Sequence, residues 1–350
     1  MTIERTSPSR PEITADYEVA RTRAVLADLS HRGRVRVTGR DRVDLLQRLT
    51  TNDMKALAPG QGISNLFLSN KGRILELCDI LAFPEHLLVA LASADAPRTV
   101  EWIERFVFME DVQAADVTAE TCQLGVFGPE AGAVIRAACG VDPSSLTGRD
   151  HQPATIGGAE VAVGPAEPLA GAGFRILGRR SDAAAIEAAL LAGPSAQRAD
   201  AALLEVLRIE AGWPGAGHEL TEHWNPLEAE LRWAVSYTKG CYTGQEVVAR
   251  LTTYKKVQHS LRGLKVAGEA VPEAGSKVRR GETEVGQVTS AAWSPGLRSV
   301  IALAYVDLAA SAPGTAVTVE APGQPLSAEV TPLPFPGSGV SAPADDRACG

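Results

Sequence analysis

The run KGCYTGQEVVAR, Lys239–Arg250, follows the apolar Ala234–Tyr237 and holds a turn-making Gly244 ahead of the helix-compatible Gln245–Leu251. It reads as strand, tight turn and helix, and the mixing of strands and helices between Arg34 and Glu130 argues an α/β or α+β domain and not a bundle or sandwich. A thiol just ahead of a helix start lies near unpaired N–H groups and the positive end of the dipole, which favours thiolate. Lys239, two residues earlier on extended backbone, is expected on the same side as Cys241. Two readings of Cys241 stand side by side. It is either a reactive or anion-binding thiol, or a buried cysteine in a tight junction.

Upstream, AALLEVLRIEAG (Ala201–Gly212) places Leu203, Val206, Leu207 and Glu210 at i, i+3, i+4 and i+7, on one helix face. Glu205 and Arg208 fall three apart on the other side and read as a surface pair. Gly212 and Pro214 stop the helix. Glu210 thus sits where an apolar residue belongs. A buried carboxylate requires donors, supplied by the protein itself or by a ligand such as an aminopyrimidine edge. Trp213, Trp224 and Trp233 follow, either as an aromatic wall for a flat ligand or as packing under a long loop.

Further toward the N-terminus, Arg34–Val37 alternates like a half-buried strand, and Asp41 is placed to cap a helix carrying Val43, Leu45, Leu46 and Leu49. Ser64–Ser69, Ile74–Phe83 and His86–Ala92 read as strands, the first two joined by a hairpin at Asn70-Lys71-Gly72. Leu124–Phe127 runs through Gly128-Pro129-Glu130 into a helix. In ILELCDILAF, alternation puts Glu76 and Cys78 on one face and Leu77 and Asp79 on the other. Two acids in one strand suit acid–base work, or the solvated side of an edge strand, and the second is the plainer reading.

Beyond about residue 255 the pattern becomes short strands (LRGLKV, EVGQVTSAAW, SVIALAYV, TAVTVE, LSAEVTPL) parted by Gly/Pro turns, which predicts a small β-barrel. At 350 residues the chain exceeds a single core. The expected layout is a loose 1–15, a main domain over 16–256, a barrel over 257–333 and a loose tail over 334–350. A hydrophobic fraction of 45% and a charged fraction of 22% exclude a largely disordered chain. A net charge of −8 without a dense basic stripe argues against nucleic acid as a partner. Five scattered cysteines without CxxC spacing give no structural zinc site or self-sufficient cluster site, so no metal is expected. The start MTIERTSPSRPEITADYE lacks an apolar signal core, and no run has the length of a membrane span. A cytoplasmic setting with reduced thiols and no membrane partner is the expectation.

RIEAG, then NPLEAELRWAVSYTKGCYTGQEVVAR, Tyr254 and Leu261-Arg262-Gly263-Leu264, resembles the YgfZ-type folate-binding proteins, relatives of the glycine-cleavage aminomethyltransferase or T-protein. Asp28–Asp53 and Leu124–Ala131 are similar to the pattern shared by that superfamily. The resemblance spans roughly residues 20–335. It implies an α+β, two-lobed folate-binding domain closed by a C-terminal β-barrel, with tetrahydrofolate as cofactor.

Carried over by position, Glu210 matches the glutamate that grips the pterin, and Lys239 a basic residue facing the ligand. Asn52-Asp53-Met54 matches the loop touching the pterin. Cys241 is the hallmark thiol of the YgfZ branch, and Tyr242 and Arg250 shape the mouth of the pocket. T-proteins carry a tandem Asp-Asp where this chain has Glu76-Leu77, and a tyrosine where it has Ser64. Asp79 lies one pleat further along, roughly 6–7 Å, which is far for a catalytic carboxylate. The resemblance therefore implies a folate-binding protein that supports iron–sulfur cluster assembly or repair in client enzymes, with Cys241, Lys239 and Asp79 as the chemical groups. The alternative is a folate-dependent aminomethyltransferase or amine demethylase. A third possibility is a ligand-free scaffold binding client proteins.

Overall fold

A computed structural model describes residues 10–254, 256–321 and 323–340, with side chains from Thr14 onward. Helix α1 (Arg10–Thr22) leads into β1 (Ala24–Asp28), β2 (Arg34–Thr38) and α2 (Arg42–Leu49). Next come β3 (Gly62–Leu68), β4 (Ile74–Ala82), β5 (Leu87–Leu91), α3 (Ala96–Glu104), β6 (Gln113–Asp116), β7 (Thr121–Phe127) and α4 (Ala131–Cys139). They are followed by β8 (Gln152–Ile156), β9 (Ala159–Pro165), β10 (Gly173–Arg179), α5 (Ala183–Leu190), β11 (Ala196–Arg198), α6 (Ala201–Glu210) and α7 (Gln245–Tyr254). The last strands are β12 (His259–Val266), β13 (Lys277–Arg280), β14 (Thr283–Ser294), β15 (Ser299–Asp307), β16 (Ala316–Val319) and β17 (Leu326–Thr331).

These elements make the expected two lobes and a barrel. One lobe is the five-stranded sheet β3-β4-β5-β2-β6, and the other is the six-stranded sheet β11-β1-β7-β10-β9-β8. The third body closes as β12-β15-β14-β13-β16-β17, with β12 also paired to β17, so it exposes no free sheet edge. The bodies share a junction core that joins Leu66, Ile74 and Leu77 of the first lobe to Tyr242 and to Leu261, Ile301 and Tyr305 of the barrel.

Several local readings hold. β3 and β4 form the hairpin, with Gly72 at φ 67° in its turn. Helix α6 begins at Asp200, whose carboxylate accepts the Leu203 N–H at 2.7 Å. Others are corrected. Asp41 stands at the α2 N-cap without a capping bond, and its carboxylate accepts the Asp111 N–H instead. Ala234–Tyr237 is no strand. It leaves a short 3-10 turn (Arg232–Ala234), with the Ala234 and Val235 N–H groups bonded locally and that of Ser236 donating to the Thr51 carbonyl. β4 is an interior strand rather than an edge, which buries Glu76 and partly covers Asp79.

At the N-terminus, α1 begins at Arg10, inside the segment read as loose. At the other end, residues 334–340 return onto the body, where Phe335 is buried and its N–H donates to the Glu210 carbonyl at 2.9 Å. Residues 1–9 and the stretch 341–350, including Cys349, lie outside the described residues. Among the described residues no helix is long and apolar enough to cross a membrane, and no group of three or more His, Cys, Asp or Glu converges as for a metal ion.

Candidate functional site

The register of β3 against β4 sets Ser64 opposite Asp79. The Ser64 hydroxyl donates to Asp79 Oδ1 at 2.6 Å. Arg149 Nε donates to the same oxygen at 2.9 Å, and Arg175 Nη1, from β10 of the other lobe, to Asp79 Oδ2 at 2.8 Å. Burial alone would raise this carboxyl. The two guanidinium groups and the hydroxyl outweigh burial and hold it far below the usual carboxylate range. Asp79 is therefore a fixed anion that ties the lobes together, with both of its oxygens engaged.

A circuit of contacts continues from Arg149. Its guanidinium carbon is 5.9 Å from the Trp213 ring, and the Trp213 and Trp233 rings lie 5.4 Å apart. The Trp233 carbonyl accepts from Asn52 Nδ2 at 3.5 Å, and that amide also donates to the Ser64 carbonyl at 3.1 Å, which closes the loop. Two partly exposed indoles thus face a polar rim of Asn52, Ser64, Asp79 and Arg149 at the seam between the lobes. The third tryptophan separates from them, since Trp224 stacks on Tyr305 of the barrel at 3.7 Å.

Glu210 is fully buried, as its place on the apolar stripe requires. Its donors are internal. Tyr17 donates to Oε2 at 2.9 Å, Arg21 pairs with the same oxygen, and Ser294 from β14 bonds Oε1. Burial first, and then the neighbouring Glu210 charge, push the Tyr17 hydroxyl up to about 12, so it remains a donor at neutral pH. The seat expected for a ligand edge holds the Arg21 guanidinium. Neither Tyr17, Arg21 nor Ser294 carries a sequence signal for this role, because each comes from a segment far from Glu210 in the chain.

Lys239 is buried and gives its three protons to the carbonyls of Gln47, Thr50 and Asn52, at 2.7, 2.7 and 2.8 Å. It clamps the end of α2 and the start of the 52–54 loop. Burial pulls its ammonium down to about 8, opposed by the Asp53 charge. Its Nζ lies 5.3 Å from the centre of the buried Tyr242 ring. Burial also pushes the Tyr242 phenol well above its ordinary value.

Cys241, in contrast, is exposed. It stands four residues ahead of the first residue of α7, exposed where Lys239 is buried, and the chain between the two is not a strand. Gly244 (φ 84°) fixes that turn, since a Cβ there would meet the Ser69 carbonyl at 2.7 Å. Arg250 is exposed on α7. Within the 52–54 loop only Asn52 joins the circuit. Asp53 is exposed and accepts from Gln47, whereas Met54 is sealed in the first lobe's core.

Glu76 and Asp79 do not act together. Glu76 faces α3 on the opposite side of β4, where its carboxylate accepts the Ala92 and Ser93 N–H groups and the Ser93 hydroxyl. The arginines that define the circuit, Arg149 and Arg175, were not legible as site residues. Each is a single basic residue, in a loop and in a strand, and only the docking of the two lobes brings them to Asp79.

Residues 4–239 match the family description "GCVT N-terminal domain", and residues 259–336 match "Glycine cleavage T-protein C-terminal barrel domain". An aminomethyltransferase of Symbiobacterium thermophilum is 33% identical over 339 residues, covering 92% of this chain and 89% of that protein. A putative chloroplastic transferase of Arabidopsis thaliana is 30% identical over 315 residues, covering 89% of this chain and 71% of that one. The glycine cleavage system aminomethyltransferase T from Bartonella henselae shares the fold, with a TM-score of 0.84 at 23% identity over 94% of this chain and 90% of that structure. The two-lobed body, the closed barrel behind it and these matches lead to one conclusion: the chain belongs to the glycine-cleavage T-protein family.

Proposed function

We propose that this chain binds tetrahydrofolate at the seam ringed by Trp213, Trp233, Asn52, Ser64, Asp79 and Arg149, and that it works as a YgfZ-type protein supporting iron–sulfur clusters in client enzymes. The observation that carries the reading is Asp79 held between Arg149 and Arg175. A carboxylate whose charge is pinned by two guanidinium groups is a poor proton carrier for aminomethyl transfer. The paired indoles suit a flat heterocycle, and the arginines suit an anionic tail.

In this reading the pterin edge replaces Arg21 on Glu210, because a guanidinium and an aminopyrimidine both present N–H groups to a carboxylate. A titration followed by tryptophan fluorescence tests it. Folate affinity falls in Glu210→Ala and rises in Arg21→Ala, whose side chain only competes for the seat. Equal affinity in wild type and Glu210→Ala removes Glu210 from the site.

Cys241 is then the working thiol, on an exposed turn that a client protein can reach. Cys241→Ala is expected to fold and melt like wild type while failing to restore client activity in a complementation assay. Full rescue assigns the thiol no chemical part. A second reading, an aminomethyltransferase, is favoured by the name of the Symbiobacterium thermophilum relative. It requires that methylene-tetrahydrofolate form from an aminomethyl donor and that this formation depend on Asp79.

A further inference from the structure

A cavity of about 350 Å³ opens on the face of β4 away from Asp79, walled by α3 and by the loop over residues 216–223. Its size is that of a small-molecule site. The floor is apolar (Phe67, Leu75, Leu220), and Glu76 stands in the wall. A second space of about 600 Å³ shares Leu75, Arg98, Trp102 and Glu222 with it and extends to Thr243, beside the Cys241 turn. Arg98 of α3 and Glu222 of the loop pair across the shared rim, both half-exposed, so the opening is spanned by a contact that solvent can break.

One group in this cavity lacks what its chemistry demands. Glu76 is only 8% exposed and accepts two N–H groups and one hydroxyl, yet among the described residues no Lys, Arg or His forms an ion pair with it. Every one of these donors is neutral, so the charge has no counterion among them.

We propose that this cavity is a second ligand site, which takes a small protonated organic amine with an apolar body, the ammonium on Glu76. An ammonium supplies the positive charge that the protein withholds from Glu76. The apolar floor accepts a short carbon chain. Burial already pushes the Glu76 carboxyl up to about 7, in keeping with a charge that lacks a counterion. The site lies across β4 from the tetrahydrofolate seam and does not depend on that reading.

Calorimetric and saturation-transfer NMR titrations with n-butylamine and its neutral counterpart n-butanol test the assignment in the full-length protein. The amine should bind saturably to wild type and about tenfold more tightly than the alcohol, the factor for one charge-assisted contact. Glu76→Gln, which keeps the shape and the acceptor for the Ala92 and Ser93 N–H groups, should lose that preference. Leu75→Trp, which fills the floor without touching Glu76, should abolish binding of both probes. Equal binding of amine and alcohol to wild type, amine binding unchanged in Glu76→Gln, or no binding of either probe to wild type would each overturn the proposal.

Discussion

Asp79→Asn is expected to destabilise the fold by about 3–5 kcal/mol, the cost of leaving a buried charge without its partner. The substitution preserves shape and keeps an acceptor for Ser64. Among the described residues it removes the only carboxylate within ion-pair reach of both Arg149 and Arg175, whose side chains are 14% and 6% exposed. The effect has a definite pH dependence. Because the folded-state carboxyl is held below its unfolded value, its stabilisation is complete above the unfolded pKa of about 3.9 and is lost as pH falls below that point. Melting curves of the two proteins should therefore be far apart at pH 7 and converge on acidification. Parallel curves across that range would mean that the arginines are held by other groups.

Glu219→Ala is expected to cost a similar amount and to change the shape of the transition. Glu219 is wholly buried. It accepts from Arg208 Nη1 at 2.8 Å, the Gly215 N–H at 2.8 Å, Thr289 Oγ1 at 2.5 Å and Ser290 Oγ at 2.7 Å, so it links α6 and its following loop to β14 of the barrel. Truncation leaves four donors short of an acceptor, each costing about 1–3 kcal/mol where no water replaces it. Since these bonds join the barrel to the body, scanning calorimetry should show one unfolding endotherm split into two. A single endotherm at the wild-type temperature would place the cohesion of the two parts elsewhere, in the apolar junction.

The same network shows where reading the chain succeeds and where it stops. The α6 stripe was legible because Leu203, Val206, Leu207 and Glu210 share one helix face, and all four are buried. The same periodicity assigns Arg208 to solvent. It is buried because the barrel covers the second face of α6, where Arg208 Nη2 reaches Ser290. One helix period identifies the first buried face and carries no information about a body that docks on the other.

The barrel was legible as five strands of apolar alternation. Its sixth, β13, is Lys277-Val278-Arg279-Arg280, in which only Val278 is fully buried. A strand with one inward residue has no alternation to detect. Glu210 illustrates the complementary case. Its burial was forced by its position, but the identity of its partners was not, because Tyr17, Arg21 and Ser294 converge on it through tertiary structure alone.

That convergence constrains how the chain is made. Tyr17 and Arg21 leave the ribosome first, the acid they embrace follows nearly two hundred residues later, and Ser294 and Phe335 arrive more than eighty residues after that. Until then the carboxylate waits with its N-terminal donors alone, and the helix that carries it lacks its cover from the barrel. Vectorial synthesis thus leaves this knot untied until residue 294 has emerged, so a nascent chain arrested before that point carries a half-satisfied acid where the folded protein is sealed.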